Sequence, residues 1–345
     1  MRTSTLSAAV ISLMLLVAAC SGTSSTGTGS PSAAASLPTF RLVDFPGDVF
    51  FTDVVAQKQG FFAKAGINVQ NQSVATGPAA LQLLVAGSID GTLIGSSLPL
   101  VAAAQNQDIK IIGTPYGVSA FHIFVSNKAG LAAKATFPQG IQALKGKTIG
   151  LVALEGATYL SLKALLANAG VGADQVQLIA VGSPQAALAQ MKAGRIDAYS
   201  NIQPTGVLLK DANIGYDYLD YAKEAPASIA QVADGAMVVS GKWLTTHQKE
   251  AKAWVDATES AVTWIKAHPQ QAASLFSATY GGSDSGDSQV VQRLIDTVYP
   301  TNLPGLAVPR AAINNQIQSL VDSGDIKSGS VSYAKIVAPS ALQGK

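Results

Sequence analysis

The stretch AGSIDG at residues 86–91 returns far along the chain, with two substitutions, as AGRIDA at residues 193–198. The preceding residues also correspond: TGPAALQLLV (76–85) leads into the first copy and SPQAALAQMK (183–192) into the second. Each copy contains a polar cap, an apolar helical run, a glycine stop and the start of a strand. The repeat predicts two similar lobes, each with a helix N-terminus and a strand C-terminus at corresponding places.

Strand-like runs alternate with helical runs around both copies. Such alternation predicts parallel strands with helices on both faces of the sheet. The fold class is therefore α/β, with each lobe a mainly parallel sheet flanked by helices. The strand-like runs include FRLVDF (40–45), INVQNQSV (67–74), IKIIGTPY (109–116), FHIFVS (121–126), TIGLVAL (148–154), VQLIAV (176–181) and GAMVVSG (235–241).

The N-terminal region is predicted to lie outside the fold. Residues 1–19 combine Arg2, an apolar run too short to span a membrane and small residues before Cys20, which is the pattern of a signal peptide. With its cysteine the pattern resembles a bacterial lipobox, which implies cleavage before Cys20 and lipidation of that thiol. The alternative is an ordinary signal peptide followed by an incidental cysteine. Residues 20–38, rich in Ser, Thr, Gly and Ala, are predicted to form a flexible tether.

Composition excludes several classes of protein. Cys20 is the only cysteine, so no disulfide can form within the chain. The 23 basic and 21 acidic residues give a net charge of +2, which argues against nucleic-acid binding, because that function needs a concentrated basic surface. No second long apolar run follows the signal, and about 305 residues remain, enough for two lobes.

The predicted topology also places a ligand site. Open α/β sheets bind ligands beyond the carboxyl ends of their strands, where helix N-termini offer free N–H groups. Two such lobes facing each other form a cleft that can close on a small ligand. The loops expected there are FPGD (45–48), ATGP (75–78), GSSLP (95–99), PYG (115–117), LEGATY (154–159), GSPQ (182–185) and NIQP (201–204).

Beyond the repeat, an ordered set of segments resembles a known family. That family is the periplasmic substrate-binding proteins of the nitrate, sulfonate, taurine and thiamine-precursor group. The segments carrying the resemblance are QKQGFFAKAGINVQ (57–70), AALQLLVAGSIDGTLIGSSLPLVAA (79–103), LKGKTIGLV (144–152), YLSLKALLANAGVGADQVQLIAV (159–181), AALAQMKAGRIDAYSNIQPTGVLL (186–209) and the tryptophan-containing segment 243–273.

The resemblance implies a receptor rather than an enzyme, with no cofactor and no metal. Such a receptor is exported, captures a small solute and delivers it to an ABC permease and its ATPase. Anchored by lipid on Cys20, it would lie at the outer face of the cytoplasmic membrane or in the periplasm, as a monomer. The implied fold is the bilobed periplasmic-binding-protein type with two crossovers. Lobe 1 would comprise residues 40–119 and 237–345 and lobe 2 residues 120–236, with crossover segments near 117–121 and 234–238.

Three kinds of group are expected to face the ligand. Backbone N–H groups at helix starts suit an anion, hydroxyl and amide side chains supply neutral hydrogen bonds, and aromatic rings stack on an organic body. Each also has a simpler interpretation as a helix cap, a turn residue or part of the core. The predicted ligand-facing residues are Phe45, Asp48, Thr76, Gly77, Ser96, Ser97, Tyr116, Glu155, Ala157, Thr158, Tyr159, Asn201 and Gln203.

The ligand's charge stays open at this point. No Lys or Arg lies in the loops, whereas Asp48, Glu155 and Asp234 lie in or near them. Because an unpaired carboxylate in a closed cleft is costly, either these groups face solvent or the ligand carries a cation or hydrogen-bond donors. A sulfonate-, nitrate- or taurine-like anion is favoured. The alternative is a pyrimidine thiamine precursor or another amine-bearing aromatic, since VDFPGD (43–48) partly resembles the D-W-x-P-N start of the thiamine-precursor receptors.

Two other classes remain as alternatives on the same fold. An enzyme is disfavoured because the body carries no P-loop, G-x-S-x-G or G-x-G-x-x-G motif. His122, His247 and His268 do not stand at metal-ligand spacing from Asp, Glu or Cys. The other class is a surface adhesin or sensor subunit, which the genes encoded alongside would distinguish from a transport receptor.

Overall fold

The structure, a computed structural model, covers most of the chain beyond the predicted tether. The residues described are 36–45, 47–134, 136–281, 284–299 and 306–339, without the side chains of 284 and 285. The predicted signal peptide, the predicted lipidation site Cys20 and the tether up to residue 35 lie outside this set. Within the described residues, no helix combines the length and the hydropathy that a membrane crossing requires. The described residues from Leu37 onwards form one compact unit.

Ten strands within the described residues form two five-stranded sheets. The first sheet has the order β2–β1–β3–β10–β4 and the second the order β7–β6–β8–β5–β9. The strands are β1 Thr39–Asp44, β2 Asn68–Ser73, β3 Gly91–Ile94, β4 Ile109–Gly113, β5 His122–Ser126, β6 Thr148–Leu151, β7 Gln177–Ala180, β8 Ala198–Asn201, β9 Gly215–Asp220 and β10 Ala236–Ser240.

The two sheets share one topology. In the first, β1 pairs in parallel with β2 and β3, while β10 runs antiparallel between β3 and β4. In the second, β6 pairs in parallel with β7 and β8, while β5 runs antiparallel between β8 and β9. Four strands of each sheet therefore run in one direction, as predicted. The reversed strand of each sheet is the one that enters directly from the other sheet.

Helices cover both sheets. They are α1 Phe51–Lys58, α2 Phe61–Ala65, α3 Gly77–Val85, α4 Ser97–Ala104, α5 Gln139–Gln142, α6 Ala157–Asn168, α7 Pro184–Lys192, α8 Thr205–Asp211, α9 Tyr221–Glu224, α10 Ala227–Ala230, α11 Gly241–Leu244, α12 Gln248–Ala267, α13 Pro269–Tyr280, α14 Asp284–Arg293, α15 Arg310–Asp322 and α16 Tyr333–Ile336. Short 3-10 turns span Asp48–Phe50 and Ala173–Gln175, and a π-helical turn spans Leu294–Val298.

The C-terminal helices are anchored to the first sheet by aromatic packing. Trp254 on α12 is fully buried, and its ring lies 5.3 Å from that of Phe40 on β1. Its indole N–H donates to Oδ1 of Asp53 on α1 at 3.1 Å. A buried indole needs such a partner, so this contact joins the C-terminal segment to the start of the fold.

The repeated motif has the same local structure in both copies. α3 leads into β3 and α7 into β8, and the glycines that end the helices, Gly87 and Gly194, have φ angles of 72° and 70°. These positive φ values favour glycine at the helix C-terminus. The structure therefore confirms that the repeat encodes a helix, a turn and a strand in each half of the protein.

The predicted lobe boundaries stay a prediction. The predicted division after residue 119 falls between β4 and β5. The division after residue 236 falls one residue inside β10.

Candidate ligand-binding cleft

A cavity of about 80 Å³ is lined by residues from both halves of the fold, one half being built on each sheet. Most of these residues directly follow β1, β2, β3, β6, β7 or β8, so the cavity lies at the carboxyl ends of the strands. This is where open α/β sheets bind ligands. The lining residues are Phe45, Val49, Ala75, Thr76, Gly77, Pro78, Gly95, Leu98, Ala120, Phe121, Val152, Ala153, Gly156, Ala157, Thr158, Ser183, Pro184, Asn201, Ile202, Asp234 and Gly235.

Three helices of at least nine residues begin at the cavity. The cap residues of α3, α6 and α7 are Thr76, Gly156 and Ser183, and all three line it. The Thr76 hydroxyl accepts from the N–H of Ala79 at 3.4 Å, and the Ser183 hydroxyl accepts from the N–H of Ala186 at 3.3 Å. The cap residue of α6 is a glycine, which has no side chain to cap the helix N–H groups. The three helix dipoles together make this part of the cavity favourable for negative charge.

The rest of the lining is mainly apolar. Phe45 and Leu98 contribute from the first half, Phe121, Val152 and Ile202 from the second. Phe45 is held edge-on by Phe50, with ring centroids 4.7 Å apart. These side chains suit the hydrocarbon or aromatic body of an organic solute.

Asp234 is the one ionisable side chain among the described residues that line the cavity, and no Lys or Arg stands there. Its Oδ2 accepts from the N–H of Ala120 and its Oδ1 from the N–H of Gly235, both at 3.3 Å. Burial raises the pKa of Asp234 to about 6, against the opposing effect of backbone hydrogen bonds from Ala120, Gly235 and Ser96. The cavity therefore combines three positive helix ends with one carboxyl group that has no cationic partner among the described residues.

A model of the NMT1/THI5-like family matches residues 49–272. This protein belongs to the NMT1/THI5-like family. A Bacillus subtilis (strain 168) protein named for binding aliphatic sulfonates is 27% identical over 254 residues, which cover 72% of this chain and 71% of that protein.

Solved structures confirm the bilobed periplasmic-binding-protein fold. The alkanesulfonate-binding protein SsuA of Xanthomonas axonopodis pv. citri, bound to MOPS, has a TM-score of 0.69 at 18% identity, covering 88% of this chain and 99% of that one. The periplasmic nitrate-binding protein NrtA of Synechocystis PCC 6803 has a TM-score of 0.71 at 15% identity, covering 89% and 87%. The fold also occurs in an enzyme, since desulfurization enzyme DSZB has a TM-score of 0.58 at 17% identity, covering 88% and 97%.

In this family member, six of the thirteen predicted ligand-facing residues line the cavity. They are Phe45, Thr76, Gly77, Ala157, Thr158 and Asn201. The other seven, which do not line it, are Asp48, Ser96, Ser97, Tyr116, Glu155, Tyr159 and Gln203.

Several of these seven are occupied by other contacts. The Ser96 hydroxyl donates to Oε1 of Gln316 at 3.5 Å, and Ser97 is buried beside it. The Gln203 side chain accepts from the N–H of Gly206 at 3.0 Å. Tyr159 is half-buried against the core, and Glu155 is exposed. Residues of suitable type in these loops can thus serve packing or the loop's own backbone instead of the cavity.

Asp48 occupies a different buried place, where the two halves of the fold touch. Its N–H donates to the carbonyl of Gln203 at 3.1 Å, and its carbonyl accepts from the Tyr116 hydroxyl at 2.8 Å. Its carboxylate is fully buried and accepts no hydrogen bond from the described residues. Burial raises the pKa of Asp48 to about 7, while Arg293 and His122 act to lower it. This side chain belongs to the contact between the halves rather than to the cavity lining.

The three histidines also lie away from the cavity lining. His122 is buried, with Nδ1 2.9 Å from Oδ2 of Asp217. His247 and His268 stack on Trp243 and Trp264 of the C-terminal helices. Within the described part of the chain, no group of three or more His, Cys, Asp or Glu is placed to hold a metal ion.

Most of the apolar lining was not among the predicted ligand-facing residues. Leu98, Phe121, Val152 and Ile202 all lie at or just beyond strand ends or in the first turn of a helix. Such a position indicates the cleft, but apolar residues there are equally compatible with the core. Asp234 was noted only as a carboxylate close to the loops.

Proposed function

We propose that this protein is an extracytoplasmic solute-binding lipoprotein. It captures a small organic anion in the cleft between its lobes and delivers it to an ABC permease and its ATPase. Membership of the NMT1/THI5-like family, the fold shared with SsuA and NrtA, and the lipobox-like sequence around Cys20 support this proposal.

One observation supports an anionic solute. Three helix N-termini meet at one small cavity that has no basic side chain among its lining residues. Helix dipoles and free N–H groups stabilise an anion without requiring a buried Lys or Arg. The negative group of the solute would lie near Thr76, Gly77, Ala157 and Thr158.

The apolar lining selects among anions. Nitrate would leave the walls formed by Phe45, Leu98 and Phe121 without a partner, whereas an alkyl or aryl group would bury them. We therefore favour an organic sulfonate or carboxylate over an inorganic ion. The name of the Bacillus subtilis relative, a binder of aliphatic sulfonates, agrees with this choice.

A second candidate solute is favoured by Asp234. A carboxylate lining a small cavity can bind an amine or another hydrogen-bond donor, as a pyrimidine thiamine precursor or another amine-bearing aromatic would present. Each of its oxygens accepts one backbone hydrogen bond, from Ala120 or from Gly235, and keeps a second lone pair for such a donor. The helix termini favour the anion instead.

Transport follows from closure of the two lobes. The crossover segments would act as hinges, and a solute that binds the closed state better shifts the population towards it. The closed monomer would then dock on the permease. A sensor or adhesin on the same fold would bind solute without a permease, and a gene neighbourhood lacking permease and ATPase genes would support that class.

A thermal-shift screen of Leu37–Lys345 tests the proposal. The panel contains alkanesulfonates, taurine, nitrate, aromatic carboxylates, a pyrimidine thiamine precursor, thiamine and polyamines. A ligand at 100 times its dissociation constant adds about 2.7 kcal/mol to the free energy of unfolding, which raises the melting temperature measurably. We expect the largest shift with an alkane- or arenesulfonate or an aromatic carboxylate. A shift with an amine or a pyrimidine alone would replace the anion proposal by the second candidate.

A further inference from the structure

We infer that Asp234 takes up a proton when an organic anion enters the cleft, so that the solute is bound together with one proton. This inference rests on the proposed anion-binding function and adds a condition under which the cleft binds. In this inference, the protonation state of Asp234 determines whether the cleft accepts an anionic solute.

The position of Asp234 brings its carboxyl group to the start of α6. A Cβ atom built on Gly95 would lie 3.2 Å from Oδ1 of Asp234 and 2.6 Å from Cβ of Ala157, the first residue of α6. Asp234 and the first turn of α6 therefore border the same point of the cavity. An anion held by the N-terminus of α6 would lie close to this carboxyl group.

The carboxyl group is also fixed in place. Both of its oxygens accept backbone hydrogen bonds, from Ala120 and Gly235, and its own carbonyl accepts from the Thr114 hydroxyl at 2.8 Å. Asp234 is 3% exposed. The side chain cannot turn to solvent without losing its two carboxylate hydrogen bonds, so it cannot avoid the negative charge of the solute by moving.

No described basic group neutralises Asp234. The charged group that interacts with it is another carboxyl group, on Asp48, whose pKa is raised in part by Asp234. Tyr116, whose ring packs against Gly235, has a pKa well above its usual value because of burial and stays neutral. The start of α4 contributes the backbone of Ser96, and the start of α6 contributes Ala157, neither of which is a cation.

Two negative charges in so small a cavity repel each other strongly, because little water remains to screen them. Protonation of Asp234 removes this repulsion and converts one carboxylate oxygen into a hydrogen-bond donor towards the solute. Since burial already holds the pKa of Asp234 at about 6, the proton is available close to neutral pH.

The sign of the pH dependence follows from this linkage. A bound anion raises the pKa of Asp234 above its value in the free protein, so the complex binds more protons than the free state. Affinity is then at its maximum below about pH 6. It falls as the pH rises, by up to about tenfold per pH unit, until the pKa of the complex is passed.

The test is isothermal titration calorimetry of the protein with hexane-1-sulfonate, an anion that does not titrate between pH 5 and 8.5. Titrations at pH 7.5 in two buffers of different ionisation enthalpy measure the protons taken up. We expect uptake approaching one proton per sulfonate and an affinity at least tenfold higher at pH 5.5 than at pH 8. The wild-type protein alone provides this measurement, so the test does not depend on a variant that folds.

Asp234→Asn should abolish both the proton uptake and the pH dependence. The matched control is Ser183→Ala, another lining residue, which should weaken binding but keep the proton uptake. Sulfonate binding with no proton uptake and a flat pH profile would overturn the inference and leave the proposed function standing. Binding of an amine but no sulfonate, or of no anion in the solute panel, would overturn the proposed function and this inference with it.

Discussion

The two copies of the repeated motif, α3–β3 and α7–β8, are built alike but stabilised differently. In each, an aspartate after the glycine stop accepts from the strand that pairs in parallel with the strand it precedes, β1 in the first copy and β6 in the second. Asp90 accepts from the N–H of Arg41 at 2.7 Å, and Asp197 accepts from the N–H of Thr148 at 2.9 Å. Through this shared geometry, Thr76 and Ser183 come to line one cavity from opposite halves. One short element used twice thus supplies both walls of the site.

The copies differ in what surrounds the aspartate. Asp90 is 7% exposed and binds the Arg41 guanidinium through Nε at 3.2 Å and Nη2 at 2.6 Å. Asp197 is 32% exposed, and the nearest cation, Nζ of Lys147, lies 3.9 Å away. The first copy has an ion pair between a buried carboxylate and a half-exposed guanidinium, where the second has a partly solvated hydrogen bond.

They differ again one position later, where the first copy reads Gly91 and the second Ala198. A Cβ on Gly91 would lie 2.7 Å from Cζ3 of Trp254 and 2.8 Å from Cζ of Phe40, which leaves no room for it. Ala198 is fully buried, and its methyl group is accommodated. The change from IDG to IDA therefore reflects the C-terminal helix that packs on the first sheet.

The largest expected effect is that of Asp90→Ala, which is compared with Asp197→Ala in the other copy. Removing Asp90 leaves the N–H of Arg41 without its acceptor and breaks a charged contact, which should lower the free energy of unfolding by about 2–3 kcal/mol. Asp197→Ala should cost about 1 kcal/mol, because its site is partly solvated. Urea unfolding of the two variants measures both values. Equal losses would show that the Arg41 contact adds nothing.

Gly91→Ala should destabilise by about 2 kcal/mol, because an added methyl group must displace the Trp254 and Phe40 rings. It should also change the tryptophan fluorescence of the folded protein. The reverse change in the other copy, Ala198→Gly, should cost about 1 kcal/mol through the flexibility of a strand glycine and leave the fluorescence unchanged. A neutral Gly91→Ala would contradict the packing explanation of the sequence difference.

The smallest effects are expected at the helix caps. Thr76→Ala and Ser183→Ala each remove a hydroxyl that accepts from the N–H of the third residue of its helix, so each should lower stability by about 1 kcal/mol. Thr76→Ser and Ser183→Thr are the controls, since they keep the acceptor. The melting temperatures of the variants, measured without solute, test this prediction. A lower melting temperature for only one of the two alanine variants would show that the two caps are not equivalent.

Much of the fold was predictable from local sequence. Period, caps and glycine stops located strands and helices in both halves, because each signal acts over a few residues. The strand GYDYLD (215–220) was not predicted, since its polar residues depart from a buried pattern and only pairing with β5 defines it. The repeat indicated the two lobes because the same turn chemistry occurs in both.

The site was predictable only as a set of loops. Thr76, Gly77, Ala157 and Thr158 line the cavity because cap positions are fixed by the helices they start. Asp48 and Tyr116 lie in the same class of loop but are directed into the contact between the halves. The direction of a loop side chain depends on residues far away in the sequence, such as Gln203 and Arg293 around Asp48. Local sequence does not contain that information.

The preference of the cleft for anions is tested by comparing two solutes of the same length and opposite charge, propane-1-sulfonate and propylamine. Isothermal titration calorimetry of the protein at pH 6 measures both affinities. The cleft built from three helix N-termini predicts saturable one-to-one binding of the sulfonate and no binding of the amine. Saturable binding of propylamine, with none of the sulfonate, would contradict the account and make Asp234 the group that selects a cation.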